Sequence, residues 1–179
     1  LAGDIHTQRN GLAWAARRFP DTPLVYVAGN HEYYHAHLQQ LEAQLRMDAR
    51  RLGIHFLEKD AVIIDGVRFL GTTLWTDFDL YGPQGAVAAA NMASQVMPDF
   101  RIIETDDGGY TPPMSVARHR LSRNWLQMQL DTPFEGKTVV VTHHAPSARS
   151  VPEQFKGDTL SPAFSSNLDA MVEQADLWI

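Results

Sequence analysis

Apolar residues occur along this chain in two alternating patterns, short continuous runs and sets spaced three or four residues apart. Short runs are typical of buried strands, and the wider spacing is typical of amphipathic helices. The runs predict strands at residues 24–27, 54–57, 61–64, 67–74 and 137–142, with another starting at 177–179. The spacing predicts helices around residues 12–19, 35–52, 115–130 and 167–174. This alternation predicts an α/β fold.

Residues 76–113 follow neither pattern for most of their length. The segment is rich in Gly, Pro, Asp and Ala, and only residues 86–97 predict a short helix within it. Long, weakly patterned segments inside compact domains are often functional loops. We therefore interpret 76–113 as a candidate lid or substrate loop. Upstream of it, Asp65-Gly66 separates two predicted strands and predicts a hairpin turn.

Length and composition narrow the class of protein. The 179 residues predict one domain, residues 1–179, and with 44% hydrophobic and 20% charged residues the chain can build a core. A net charge of −6 without a Lys/Arg cluster argues against a protein that binds nucleic acid through its phosphates. The absence of cysteine excludes disulfides and zinc–thiolate sites. No apolar run approaches the roughly 18 residues that span a membrane, so we expect a cytoplasmic protein. No pattern indicates an oligomeric state.

Both ends of the sequence lie inside predicted strands. Leu1-Ala2 leads directly into Gly3-Asp4, a pair typical of the carboxyl end of a strand, and Leu177-Trp178-Ile179 resembles a strand that has just begun. Strands usually extend over about 5–6 residues. We therefore expect the domain to be truncated at both ends.

Three short polar motifs each follow an apolar strand. They are Gly3-Asp4-Ile5-His6, Gly29-Asn30-His31-Glu32 and Thr142-His143-His144-Ala145-Pro146. Sites in open α/β sheets lie at the carboxyl ends of strands. Carboxylate, amide oxygen and imidazole are suitable ligands for divalent manganese, iron or zinc.

These motifs resemble the blocks of the calcineurin-like metallophosphoesterase superfamily, which run D-x-H, G-D, G-N-H-[DE], a strand-ending His, and G-H-x-H. Leu1–His6 resembles the second block, Gly29–Glu32 the third and Val139–Pro146 the fourth, whereas the first and fifth are absent. The resemblance implies a four-layer αββα sandwich with two facing mixed sheets. It also implies a metal-dependent hydrolase of phosphodiesters or small phosphomonoesters, with a small phosphorylated substrate as its partner.

The resemblance also implies roles for individual residues. Asp4 resembles the carboxylate that bridges two metal ions, and Asn30 and His143 resemble ligands to the second ion. His31 resembles the histidine that binds no metal and faces the leaving-group oxygen. Two divalent ions, manganese or iron with zinc as the alternative, would then lie roughly 3.5–4 Å apart. Because two blocks are absent, we expect this chain to hold at most one ion weakly and to be a poor catalyst.

Several assignments near these motifs have alternatives. Asp4-Ile5-His6 also spells D-x-H, but no other Gly-Asp pair lies between it and Asn30, so it is assigned to the second block. Thr7 and Gln8 occupy positions where the protein Ser/Thr phosphatase branch has Asp and Arg, which disfavours that branch. His144 remains open as the ligand in place of His143.

Five further residues are candidates for contact with substrate or with the ligands: His6, Glu32, His144, Trp75 and Arg149. For Trp75 we favour packing in the core over contact with substrate. For Arg149 a surface position without a site role is at least as consistent with the sequence as contact with a phosphate. Two other functions remain open. One is a nuclease, which the acidic charge disfavours, and the other is a non-catalytic scaffold that binds a partner through the same fold.

Overall fold

The computed structural model describes residues 1–179, and it alternates helices and strands along the whole chain. The helices are α1 Asn10–Arg18, α2 Leu38–Leu52, α3 Pro83–Val96, α4 Asp99–Ile102, α5 Pro112–Asp131 and α6 Asp169–Val172. The strands are β1 Val25–Tyr26, β2 Ala36–His37, β3 His55–Phe56, β4 Asp60–Ile64, β5 Val67–Thr72, β6 Ile103–Thr105, β7 Gly108–Gly109, β8 Lys137–Thr142 and β9 Leu177–Trp178.

The strands form three sheets. The largest has the order β4-β5-β8-β9 and is mixed, because β4 is antiparallel to β5 while the other pairs are parallel. Strands β1 and β3 pair in parallel, and Ala2 bridges to Val27 beside them. A third small sheet has the order β2-β6-β7. The predicted α/β class with mixed sheets is confirmed, whereas the four-layer αββα arrangement stays a prediction.

A buried apolar cluster joins the β1–β3 pair to the four-stranded sheet. Val27 and Leu57, from the β1–β3 side, pack with Val139 and Val141 of β8. On the other side of the large sheet, Leu126 of α5 packs with β5 and β8. Helices α1 and α2 pack together with β1 in the largest core cluster. These contacts fix the carboxyl ends of β1 and β8 relative to each other, which is where the predicted motifs lie.

The structure corrects two predictions of local structure. The predicted helix 35–52 begins only at Leu38, because Ala36–His37 pairs as β2 with β6. Residues 76–113 are more regular than predicted, since they hold α3, α4, β6 and β7. Ala89 and Ala93 of α3 pack against Phe78. Both differences come from tertiary contacts, which the pattern of neighbouring residues does not report. No helix of the chain combines the length and apolarity required to cross a bilayer.

Candidate metal and catalytic site

Three chain segments meet where their strands end. Asp4 follows the Ala2 bridge, Asn30 follows β1 and His143 follows β8. Two glycines permit this approach. A Cβ on Gly3, whose φ is 84°, would lie 2.5 Å from His143 Nδ1 and 2.6 Å from the Gly29 nitrogen, and a Cβ on Gly29 would overlap the Asp4 carboxylate. Side chains at either position would force the segments apart.

The imidazole of His143 has its protonation pattern set by the backbone. Its Nδ1 lies 2.9 Å from the carbonyl oxygen of Ala2. Because a carbonyl oxygen only accepts, Nδ1 carries the hydrogen, which leaves Nε2 as the ring nitrogen that faces the other two side chains. That Nε2 lies 2.9 Å from Asn30 Oδ1 and 3.5 Å from Asp4 Oδ1.

The side-chain amide of Asn30 is oriented by hydrogen bonds to Asp99 and Tyr34. Its Nδ2 donates to Asp99 Oδ1 at 2.8 Å and to the Tyr34 hydroxyl at 3.2 Å. The Tyr34 hydroxyl donates to Asp99 Oδ2 at 3.1 Å, and burial together with the Asp99 charge raises its pKa, so it stays protonated. A carboxylate only accepts, so the amide nitrogen faces Asp99 and the amide oxygen faces His143. Asp99 is 2% exposed and was not predicted from the sequence.

Asp4, Asn30 and His143, which we call the triad, therefore bring two oxygens within 3.5 Å of one imidazole nitrogen, an arrangement that would suit a bound cation. Donor atoms about 2.0–2.2 Å from one ion and at right angles to each other lie roughly 3 Å apart, close to the separations observed here. Nowhere does the chain gather three or more His, Cys, Asp or Glu side chains able to hold a metal. A metal site here would therefore need the amide oxygen of Asn30 as its third donor.

His31 lies beside this triad with half of its side chain exposed. Its backbone N–H donates to Asp4 Oδ1 at 3.0 Å, and its Nδ1 lies 3.4 Å from Asp4 Oδ2. The ring also packs against Tyr34, with 4.5 Å between the ring centroids. With Nδ1 next to the carboxylate, Nε2 is the ring nitrogen left to meet a molecule in the adjoining space.

Glu32 joins two of the segments through its fully buried carboxylate. Its oxygens accept the backbone N–H groups of Asp4, Ile5 and His6 from one segment, at 2.8, 2.9 and 3.3 Å. They also accept the N–H of Gly29 at 2.7 Å and the hydroxyl of Tyr26 at 2.8 Å. Glu32 therefore holds the Asp4 turn against the Asn30 turn, a support role consistent with its position behind the ligands.

His144 faces a different direction from its neighbour. It is buried, its Nδ1 lies 3.2 Å from the carbonyl oxygen of Thr73, and its ring stacks on Trp75 at 5.5 Å. Burial and, to a lesser extent, the adjacent His143 lower the pKa of His144 to about 3, so the ring is neutral. The structure thus places His143, not His144, against Asn30 and Asp4. Trp75 is 2% exposed and packs in the core.

Two predicted candidates lie away from the triad. His6 is exposed, and its Nδ1 accepts from the backbone N–H of Thr7 at 2.8 Å. The Arg149 side chain is 78% exposed and pairs with Asp169 at 3.5 Å. Neither residue lines the space in front of Asp4, Asn30 and His143. No contact with the triad supports a site role for either of them.

A cavity of about 680 Å³ opens in front of the triad. Its polar end is formed by Asp4, Asn30, His31, His143 and His144. Its other walls come from the segment after β8, residues 145–166, which we call the 145–166 loop. No residue of 76–113 lines the cavity, and that segment reaches the site instead through the contact of Asp99 with Asn30. Its predicted role as a lid stays a prediction.

The sheets and the polar strand ends define an α/β protein with one candidate site at the carboxyl ends of β1 and β8. No protein-family model matches the sequence. No curated protein matches it either. The chain is similar to a solved structure described as phosphopantetheinyl hydrolase (PptH) from Mycobacterium tuberculosis, with a TM-score of 0.68 and 14% identity. The similarity covers 97% of this chain and 67% of that one.

This finding corrects the family assignment. The motifs predicted membership of the calcineurin-like superfamily, but no family model supports it, and the structure that does match is described as a phosphopantetheinyl hydrolase. The superfamily prediction is therefore contradicted. Motifs of three to five residues recur in unrelated proteins, so on their own they did not carry a family assignment. At 14% identity the likeness establishes a shared fold, and the site's chemistry must be argued from its own atoms.

Proposed function

We propose that this chain belongs to a metal-dependent hydrolase of phosphate esters, with Asp4, Asn30 and His143 as ligands to one divalent ion. The observation that carries the proposal is the close approach of three potential donor atoms, with His143 Nε2 2.9 Å from Asn30 Oδ1 and 3.5 Å from Asp4 Oδ1. The fold it shares with a protein whose name describes a hydrolase adds support.

The charge of the cavity gives a second argument. Its lining includes Asp4 and Asp158 but no Lys or Arg. A phosphate ester in such a space would meet negative charge unless a cation were bound there. A divalent ion at the triad would supply the positive charge that binds the phosphate and the Lewis acidity that activates water for attack.

The chain's own residues would then divide the remaining work. Asp4, oriented by the backbone N–H of His31, and Asn30, oriented by Asp99, would hold their oxygens toward the position of the ion. Water attacks phosphorus and forms a new P–O bond, releasing one proton to the solvent, while the P–O bond to the leaving alcohol breaks. His31, held at Nδ1 by Asp4, donates a proton from Nε2 to the departing oxygen.

The test measures metal binding and turnover separately. We expect the 179-residue chain to bind about one Mn²⁺ weakly in equilibrium dialysis, because three protein ligands serve one ion. Hydrolysis of bis-p-nitrophenyl phosphate should be slow, stimulated by Mn²⁺ and abolished by EDTA. Asn30→Ala and His143→Ala should lose both metal and activity. His31→Ala should keep the metal and lose about 10²–10⁴-fold in kcat.

His144→Gln is the matched control, because it alters the neighbouring imidazole without touching Asn30 or Asp4. It should retain metal binding. If His144→Gln depletes the metal while His143→Ala does not, the ligand is the later histidine. Turnover that survives EDTA would refute the metal-dependent mechanism altogether, and stoichiometric loss of metal in His31→Ala would show that His31 is a ligand rather than an acid.

A further inference from the structure

The cavity is far larger than a phosphate group requires, and its walls change character with distance from the triad. A volume of about 680 Å³ falls within the range of sites that enclose whole organic ligands. Beyond the polar end, the 145–166 loop contributes six apolar residues to the lining, Ala145, Val151, Pro152, Phe155, Leu160 and Phe164, together with four polar ones, Ser150, Asp158, Ser161 and Ser165. The space therefore offers one polar end and one apolar wall to a single bound molecule.

The loop that carries this wall is fixed at its base. Ala145 N–H donates to the Phe164 carbonyl at 3.0 Å, and Ser166 N–H donates to the Ala145 carbonyl at 2.9 Å, so the two ends of the loop pair. Ala163 packs with Phe78 and α3 behind it. Phe155 and Phe164 nevertheless remain 48% and 50% exposed. Two half-exposed phenyl rings held on a fixed loop at a cavity are an apolar surface available to a ligand.

The basic residues of the loop do not face the cavity. Arg149 pairs with Asp169, Lys156 pairs with Glu153, and neither lines the cavity. A substrate with several phosphates would therefore have its further charges placed beside Asp158 and apolar side chains, without compensation. The walls favour a molecule whose only charged part is the phosphate at the triad.

We infer that the substrates are phosphate esters that carry a neutral, largely apolar organic arm, and that Phe155 and Phe164 hold this arm while the triad holds the phosphate. The inference rests on the proposed function for the phosphate end, and on the apolar wall of the cavity for the arm. It assigns substrate selection to the 145–166 loop, and it disfavours nucleic acids and polyphosphates as substrates.

The experiment compares phenylphosphonate with methylphosphonate, which share the charged group, differ in the arm and cannot be hydrolysed at the P–C bond. With Mn²⁺ present, calorimetric titration should give a Kd for phenylphosphonate at least about tenfold lower, each value expressed for the dianion, because the ring is buried. Phe155→Ser combined with Phe164→Ser should reduce that ratio to about two or less and leave the Kd for methylphosphonate unchanged. Leu121→Ser, an exposed apolar site on α5, should leave the ratio unaltered.

A second measurement tests the arm without metal or phosphate. Neutral benzyl alcohol, added to the metal-free protein, should shift the backbone amide resonances of Phe155 and Phe164 in NMR spectra. If both phosphonates bind equally and benzyl alcohol shifts neither resonance, the inference is overturned while the proposed function stands. If neither phosphonate binds but benzyl alcohol does shift them, the arm site stands and the phosphate site is wrong.

Discussion

Among single residues, Glu32 has the densest set of hydrogen bonds near the site, and it provides a direct test of local stability. Glutamine keeps its size but places an NH₂ group where only acceptors fit, so at least two buried donors lose their partner. Each such loss costs about 1–3 kcal/mol. We expect Glu32→Gln to lower the free energy of unfolding by about 2–4 kcal/mol, measured by urea denaturation.

The exposed Glu135, which makes no hydrogen bond or ion pair, provides the matched control. Glu135→Gln should change stability by less than about 0.5 kcal/mol. A Glu32→Gln protein within 1 kcal/mol of the wild type would show that the two turns are held by other contacts.

Some of the site residues could be predicted from the sequence, and others could not. Asp4, Asn30 and His143 could be predicted together because each directly follows an apolar run, and strand ends lie at a common sheet edge. Whether they bind metal stays a prediction. Asp99 gave no such signal, because its partner Asn30 lies 69 positions away and the contact exists only after folding. Glu32 was a candidate by position in its motif, but its five donors could not be inferred.

Among the elements, the hairpin between β4 and β5 depends on two residues with positive φ, Asp65 at 49° and Gly66 at 79°. A side chain at Gly66 is strained in this conformation even though the surrounding space is open. We expect Gly66→Ala to lower the free energy of unfolding by about 1 kcal/mol, since alanine disfavours positive φ. Thermal and urea denaturation would measure the loss.

At Gly85, in contrast to Gly66, we expect alanine to stabilise the protein. It lies exposed in α3 without positive φ and with open space around its Cα. Alanine there should raise stability by about 0.5–1 kcal/mol, because it removes conformational freedom from the unfolded chain. Equal effects of the two substitutions, in sign and size, would contradict the conformations assigned to both glycines.

Elements with a local signal were the ones that the sequence predicted well. The Asp65-Gly66 turn, α1 and β8 all lie close to their predicted positions, because apolar spacing and turn residues act over a few neighbours. Strand β2 was predicted as helix, since its pairing partner β6 lies more than 60 residues downstream. Short strands of two or three residues are stabilised mainly by such pairing, so their own sequence shows no apolar pattern that would predict them.

For the whole molecule, buried ionisable groups predict loss of stability in acid. Burial lowers the pKa of His119 below its ordinary 6.5, with Arg123 acting in the same direction and Asp77 opposing it. The unfolded chain therefore binds a proton that the folded chain refuses, and stability is lost as pH falls below about 6.5. His144 acts in the same sense. Glu58 adds a second window: burial alone would raise its pKa, but Lys59 and the Thr73 N–H lower it below 4.5, so its contribution is lost in stronger acid.

Urea denaturation at several pH values between 7 and 5 would measure the histidine part of this loss. The wild type should become less stable across the series, and His119→Gln should show a shallower slope whatever its stability at pH 7. His55→Gln, an exposed histidine, should reproduce the wild-type slope. An unchanged slope in His119→Gln would mean that the buried ring is not what senses the acid.

The hydrogen bond from Asn30 to Asp99 has a consequence that reaches across the fold. Asp99 belongs to α4, a single turn of helix, and it fixes which atom of the amide faces the triad. Any opening of that turn frees the amide to rotate, so a cation bound through the amide oxygen would draw part of its affinity from the docking of α4. By reciprocity, an ion bound at the triad would hold α4 in place, and the two would stabilise one another without touching.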